Sequence, residues 1–264
     1  MVDALELRAL AETAAREAGA LLLDGLDQVR TDVRTKTSST DMVSEMDRAA
    51  EALIVERLLG ARPHDGIEGE EGTDLRGTSG VRWIVDPLDG TTNYLYGLAG
   101  FGVSIAAEHD GVVVAGVVLD VVRNELFRAA LGNGADRDGT PITASAATDL
   151  AAALIATGFS YESARRARQA AVLLEVLPRV RDIRRFGAAA VDLCAVACGR
   201  VDGYYERGLA PWDLAAGGLI ATEAGAVVSD FAGGPAAAGA VVAAAPGIAP
   251  GLLDLLVRAG APDA

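Results

Sequence analysis

Hydrophobic and polar positions change their period along the chain, and the changes predict its elements. Over residues 3–24, Leu7, Leu10, Ala14, Ala18, Leu21 and Leu22 recur at helical spacing, with Gly25 as the stop. Residues 31–41 are polar, with Lys36, Ser38, Ser39 and Thr40, and read as a loop. A second helix begins near Asp41 to Ser44, shows Met46, Ala50, Leu53, Ile54 and Leu58 on its apolar face, and ends at Gly60. Asp65 to Gly72 reads as an acidic, Gly-rich loop. Period-2 and apolar runs then predict strands at 81–85, 101–108, 112–119 and 125–130. His109-Asp110-Gly111 and Arg123-Asn124 are hairpin turns between them, so this part is an antiparallel meander. Asp138-Gly139 with Pro141 marks a further turn.

The second half alternates strands and helices. Strands are expected at Ala152–Thr157, Ile183–Phe186, Val201–Glu206, Val227–Ser229 and Ala240–Ala244. Helices are expected at about 163–177, Ala188–Gly199, Trp212–Ala224 and Gly251–Arg258. Such alternation implies layers of sheet and helix. No repeat and no long polar linker divides the chain. It reads as one unit over 1–264, with an N-terminal lobe of about 1–143 and a C-terminal lobe of about 144–264.

Composition narrows the function classes. The chain has 264 residues, is 51% hydrophobic and carries a net charge of −14. That charge disfavours nucleic acid and anionic membranes as partners. It also disfavours an anionic substrate, unless bound cations reverse the local sign. The two cysteines, Cys194 and Cys198, share a helix face and read as buried reduced thiols. The two histidines, His64 and His109, are far apart and read as loop residues, which leaves a zinc site or a Ser/His/Asp triad poorly supplied. The N-terminus starts acidic and shows no signal peptide, and apolar runs such as Ala236–Ala245 are too short to span a bilayer. The expectation is a soluble, cytoplasmic protein.

The densest chemistry lies at the end of the first strand, in Asp86-Pro87-Leu88-Asp89-Gly90-Thr91. Pro87 fixes one backbone angle and Gly90 permits a tight bend. Asp86 and Asp89 are therefore held close together, with hydroxyls following at once. Two fixed carboxylates with no base between them repel unless a cation sits there, and hard oxygen ligands suit Mg²⁺ or Mn²⁺. Three other acids stand out: Asp47 on the second helix, Glu70 in the Gly-rich loop and Asp213 at a helix start. Taken singly, Asp47 also reads as a solvated helix residue, Glu70 as surface charge and Asp213 as a favourable charge at the positive end of its helix.

Together these segments resemble the inositol monophosphatase family of metal-dependent, lithium-sensitive phosphatases. Asp86 to Thr91 is similar to its first signature, and Pro211-Trp212-Asp213-Leu214-Ala215-Ala216-Gly217 to its second. Gly69-Glu70-Glu71 resembles its acidic loop, and Thr40 to Asp47 the segment that supplies a catalytic Asp. The order and spacing match over nearly the whole chain.

The resemblance implies an α/β fold of layered type: a five-layer αβαβα sandwich like that of the inositol monophosphatases and fructose-1,6-bisphosphatases. It implies two to three Mg²⁺ per site, with Mn²⁺ possible. Glu70, Asp86 and the Leu88 carbonyl would hold the first ion. Asp86, Asp89 and Asp213 would hold the second, and a weaker third would sit near Glu70. Thr91 would hydrogen-bond to Asp47 and the pair would activate water, while the N–H groups of Gly90 and Thr91 would cradle phosphate. The Gly187-Ala188-Ala189 backbone, Glu206 and Asp213 would contact the alcohol. The family often has Ser or Thr at the position of Ala188, so a hydroxyl is missing here. The expected reaction is hydrolysis of a phosphomonoester, foremost myo-inositol monophosphate. Histidinol phosphate or a sugar phosphate such as fructose 1,6-bisphosphate is the alternative, and a regulatory protein-binding role the non-enzymatic one. A homodimer follows by analogy.

Overall fold

The strand that carries the first signature runs further than its apolar stem. The computed structural model describes residues 2–32, 39–236 and 239–264, without side-chain detail at 27–32 and 39–44. In it β3 spans Val81–Asp89, past the expected end at Val85. It sits in an eight-stranded sheet of order β2-β1-β3-β4-β5-β6-β7-β8. The members are β1 (Gly66–Gly69), β2 (Asp74–Leu75), β4 (Gly102–His109), β5 (Val112–Asp120), β6 (Glu125–Ala130), β7 (Ala135–Arg137) and β8 (Thr140–Pro141). The β3 to β8 run is the expected meander, and β1 pairs with β3 in parallel.

Both faces of this sheet are covered, and the strand period sorts the side chains. Val103, Ile105, Ala107, Ala115 and Val117 pack beneath α1 (Ala4–Asp32) and α2 (Ser39–Ala61), while Ile84, Ala106, Val118 and Phe127 face the opposite core. That second core is filled by α5 (Ala189–Ala197) and α6 (Pro211–Glu223). Beyond them lies a five-stranded sheet of order β10-β9-β11-β13-β12. Its strands are β9 (Leu154–Thr157), β10 (Asp182–Arg184), β11 (Gly203–Arg207), β12 (Val227–Ser229) and β13 (Ala240–Ala244). Tyr204, Val241 and Ala243 point back to α5 and α6; Ile155, Tyr205 and Val242 point outward, to α4 (Ser163–Val176) and α7 (Ala249–Arg258). The layers run helix, sheet, helix, sheet, helix, as the resemblance implied.

Several local expectations are corrected. Helix α1 passes through Gly25 to Asp32. A Cβ at Gly25 would lie 2.4 Å from Met46 Cε and 2.8 Å from the Tyr94 hydroxyl, so this glycine admits close packing rather than ending the helix. The polar stretch 31–41 is helical at its two ends, and Lys36 and Ser38 lie outside the described residues. Residues 66–69 of the expected acidic loop form β1, because their backbone pairs with β3. His109 closes β4, and the turn is made by Asp110 and Gly111, at φ of 50° and 82°. Cys194 is buried, but Cys198 is only half-buried.

Candidate active site

The first signature is a β-bulge. Asp86 pairs with Ser104 and Asp89 with Gly102, three steps on β3 against two on β4. In a regular strand, residues three apart point to opposite faces. The inserted residue brings both carboxylates to one side, and Pro87, which has no N–H to lose, is tolerated there. Asp86 Oδ1 accepts the Leu88 N–H at 2.9 Å and fixes the bend. Gly90 then adopts φ 93°, where a Cβ would meet the Gly100 carbonyl at 2.9 Å, and starts α3 (Thr91–Tyr96). This short helix had no periodicity long enough to predict it. Asn93 on α3 donates to the Gly100 and Phe186 carbonyls at 2.6 and 2.7 Å, which ties the signature to the loop before α5.

The second signature arrives from α6. Pro211 occupies the first turn and Asp213 reaches back to accept the Ala210 N–H at 2.7 Å. Helix α6 can lie this close to the first sheet because Gly116 has no side chain; a Cβ there would be 2.9 Å from the Ala216 carbonyl oxygen. Asp86, Asp89 and Asp213 each present an oxygen within 4.8 Å of the others. Three ionised carboxylates at that spacing repel by roughly 3 kcal/mol per pair at an effective dielectric of 20. Burial is the larger burden: it pushes Asp89 up to about 8 and Asp86 well above the usual carboxylate range, with Asp213 also raised. Glu70 joins through Asp86. Burial foremost raises the pKa of Glu70, and the negative charge of Glu70 in turn helps to raise that of Asp86. Such a set of buried, hard, crowded oxygens fits a divalent metal ion.

Asp47 is buried on α2, one oxygen has no hydrogen-bond partner, and burial with Glu71 and Glu70 nearby pushes it up to about 8. The expected hydrogen bond between Thr91 and Asp47 is not made. The Thr91 hydroxyl donates instead to the Leu88 carbonyl at 3.2 Å, a local acceptor that the bulge turns toward it. That carbonyl keeps a second lone pair for a ligand.

Asp47 excepted, these groups line a cleft of about 310 Å³. Glu70, Asp86, Leu88, Asp89, Gly90, Thr91 and Asp213 form one end, and Gly187, Ala188, Ala189 and Glu206 flank it. The Gly187–Ala189 turn spends much of its backbone inside the protein. Ala189 donates to Asp89 Oδ1 at 3.1 Å. Fewer of its N–H groups than expected therefore face a substrate alcohol. Glu206 accepts the buried Tyr204 hydroxyl at 2.6 Å, and burial raises its pKa. Gly158 makes room for it: a Cβ there would lie 1.8 Å from Glu206 Oε2. Arg165, Arg185 and Arg207 also line the cleft. Sequence reading passed over them, as it did Asn93 and Tyr204, because their signal is tertiary and not a motif.

A family model described as the inositol monophosphatase family matches residues 3–260. The chain belongs to the inositol monophosphatase family. It is 48% identical to an "Inositol-1-monophosphatase" of Mycobacterium leprae, over 97% of this chain and 95% of that one. It is 43% identical to a "Nus factor SuhB" of Pasteurella multocida, over 93% of each. The solved structure of Mycobacterium tuberculosis SuhB superposes with a TM-score of 0.86 at 42% identity, over 98% of both chains. The chain is accordingly a phosphatase that hydrolyses phosphomonoesters, and the acidic cluster is its metal-compatible centre. Among the described residues, no helix of this phosphatase is long and apolar enough to cross a membrane.

Proposed function

We propose that this phosphatase converts myo-inositol monophosphate to inositol and phosphate, with Mg²⁺ at the acidic cluster and Mn²⁺ as a possible substitute. One observation carries the reading: the buried carboxylates of Asp86 and Asp89 and the half-buried one of Asp213 converge within 4.8 Å at the end of a cleft. Glu70 and the Leu88 carbonyl complete the donor set that would hold two ions, with a third near Glu70. Mg²⁺ held there would lower the pKa of a water and offset charge on the phosphate and the departing alkoxide. Asp47, buried with an unpartnered oxygen, takes up a proton from water, and the Thr91 hydroxyl orients it. The N–H groups of Gly90 and Thr91 hold the phosphate. Glu206, locked by Tyr204, accepts a hydrogen bond from a polyol hydroxyl, with the Gly187-Ala188-Ala189 turn and Asp213 beside it.

A phosphate-release screen tests this. Inositol 1-phosphate is expected to outrank histidinol phosphate, fructose 1,6-bisphosphate and nucleotide monophosphates, with a requirement for Mg²⁺ and inhibition by Li⁺. Full activity in excess chelator overturns the metal reading, and a preference for another alcohol overturns the substrate.

The net charge of −14 supports a cytoplasmic protein without direct nucleic-acid or membrane partners. Tyr161 at the cleft and Tyr96 and Leu98 at and just past the end of α3 are exposed, and Tyr161 meets Thr92 of α3. This apolar surface supports a homodimer, which light scattering would detect. The relative named a Nus factor supports a second reading, an added regulatory role through protein contacts.

A further inference from the structure

Glu51 lies on α2 one turn beyond Asp47, on the same face, and only 4% of it is exposed. Its carboxylate accepts three hydrogen bonds from the loop that carries Glu70. The Glu71 N–H reaches Oε2 at 2.8 Å, and the Thr73 N–H and hydroxyl reach Oε1 at 3.1 and 2.5 Å. Donors converge on both oxygens, so only a carboxylate satisfies them. A glutamine would turn its NH₂ toward one of these donors. Gly69 is shaped to the same contact, because a Cβ there would lie 2.4 Å from Glu51 Oε2. The turn is closed by Gly69 N–H to the Thr73 carbonyl at 2.7 Å, and the Glu70 N–H is anchored on the Val85 carbonyl at 3.1 Å. Glu70 is therefore held from β3 on one side and from α2 on the other.

We propose that Glu51 is a positioning residue that clamps the Glu70 loop onto α2, so that one turn of that helix sets the separation between Glu70 and Asp47. The inference rests on the functional reading above, in which Glu70 binds metal and Asp47 receives a proton. Glu51 itself touches neither substrate nor metal. Its negative charge is spent on the loop, and losing it loosens Glu70 rather than removing it. Groups that hold a ligand from behind typically change metal affinity by roughly 10- to 100-fold when mutated.

The experiment measures Mg²⁺ and Mn²⁺ binding by calorimetry without substrate, alongside the Mg²⁺ dependence of phosphate release, on the full chain. Glu51→Gln is expected to weaken metal binding by roughly 10-fold or more. Turnover should recover toward the wild-type value as Mg²⁺ is raised, whereas Glu70→Gln should not recover. Gly69→Ala, which displaces the same carboxylate, should reproduce the defect. Thr73→Val removes one of the three donors and should shift affinity in the same direction by less; it also decides the matter if Glu51→Gln fails to fold. Wild-type metal affinity in folded Glu51→Gln, or in Thr73→Val when the other cannot be purified, overturns the clamp, even where melting temperature drops. A wild-type protein that binds no divalent ion overturns the functional reading and the clamp with it.

Discussion

Ala190 donates its backbone N–H to Asp89 Oδ2 at 2.7 Å, joining residues 101 positions apart. Ala189 donates to the other oxygen, so Asp89 caps the first turn of α5 from the end of β3. One carboxylate thus fixes the seam between the first sheet and the middle helical layer while offering charge to the cleft. Asp89→Asn turns an NH₂ toward one of these donors and removes a ligand charge. The expected result is a loss of turnover of about 10²- to 10³-fold, the size typical of losing one preorganised electrostatic group. Metal binding and melting temperature should fall together. An Asp89→Asn protein with wild-type turnover would refute the assignment.

Asp47 and Thr91 act as a pair only if water joins them, since Thr91 now donates to Leu88 and one Asp47 oxygen has no partner. Thr91→Ala and Asp47→Asn are each expected to lower kcat by about 10²-fold or more, the usual range for a positioned proton acceptor. Thr91→Ser, which keeps the hydroxyl, should retain most of the rate. Asp47→Asn should not lower the melting temperature of the metal-free protein, because burial already holds this carboxyl uncharged up to about pH 8 and the amide is of the same size. Unchanged turnover in Thr91→Ala would contradict the water-orienting role.

Legibility in the sequence followed how local each signal was. Asp86 to Thr91 and Pro211 to Gly217 were readable because residue types at short spacing carry their chemistry, and α5, α6 and the meander were readable from period. The bulge was not, since alternation cannot show that β3 takes three steps where β4 takes two. Gly25 was misread because its reason is Met46 and Tyr94, brought in by folding. Glu51 stayed hidden because its loop partners lie 20 and 22 residues on. The five-layer arrangement came from the family resemblance, not from the periodicity, which specified which faces are apolar but not what covers them.

Substrate discrimination should depend on Gly158 as much as on Glu206. A methyl at 158 would collide with the Glu206 carboxylate, which Tyr204 holds from the other side. Gly158→Ala and Glu206→Gln are both expected to lower kcat/KM for inositol 1-phosphate relative to p-nitrophenyl phosphate by about 10-fold. That is the scale of one or two kcal/mol for a polar contact left unmade. Tyr204→Phe should move the same ratio by less. If Glu206→Gln leaves the ratio unchanged, Glu206 does not read the polyol.

The acidic centre should make the metal-free protein unusually sensitive to rising pH. Burial foremost holds Asp47 and Asp89 at about 8 in the fold, against an ordinary value of 3.8. Between these values the folded chain binds more protons than the unfolded one, so stability falls as pH rises. It is fully present below about pH 4 for these two groups and lost through about pH 8. Divalent ions bind the deprotonated carboxylates, so they offset the loss most at the upper end of the window. Metal-free melting temperature is therefore expected to drop between about pH 5 and pH 8, and the rise produced by Mg²⁺ to be larger at pH 8. Asp47→Asn should flatten the metal-free slope, because it removes one of the contributing groups. A metal-free melting temperature that climbs over this range, or a slope that Asp47→Asn leaves unaltered, would show that these carboxylates are not held protonated in the fold.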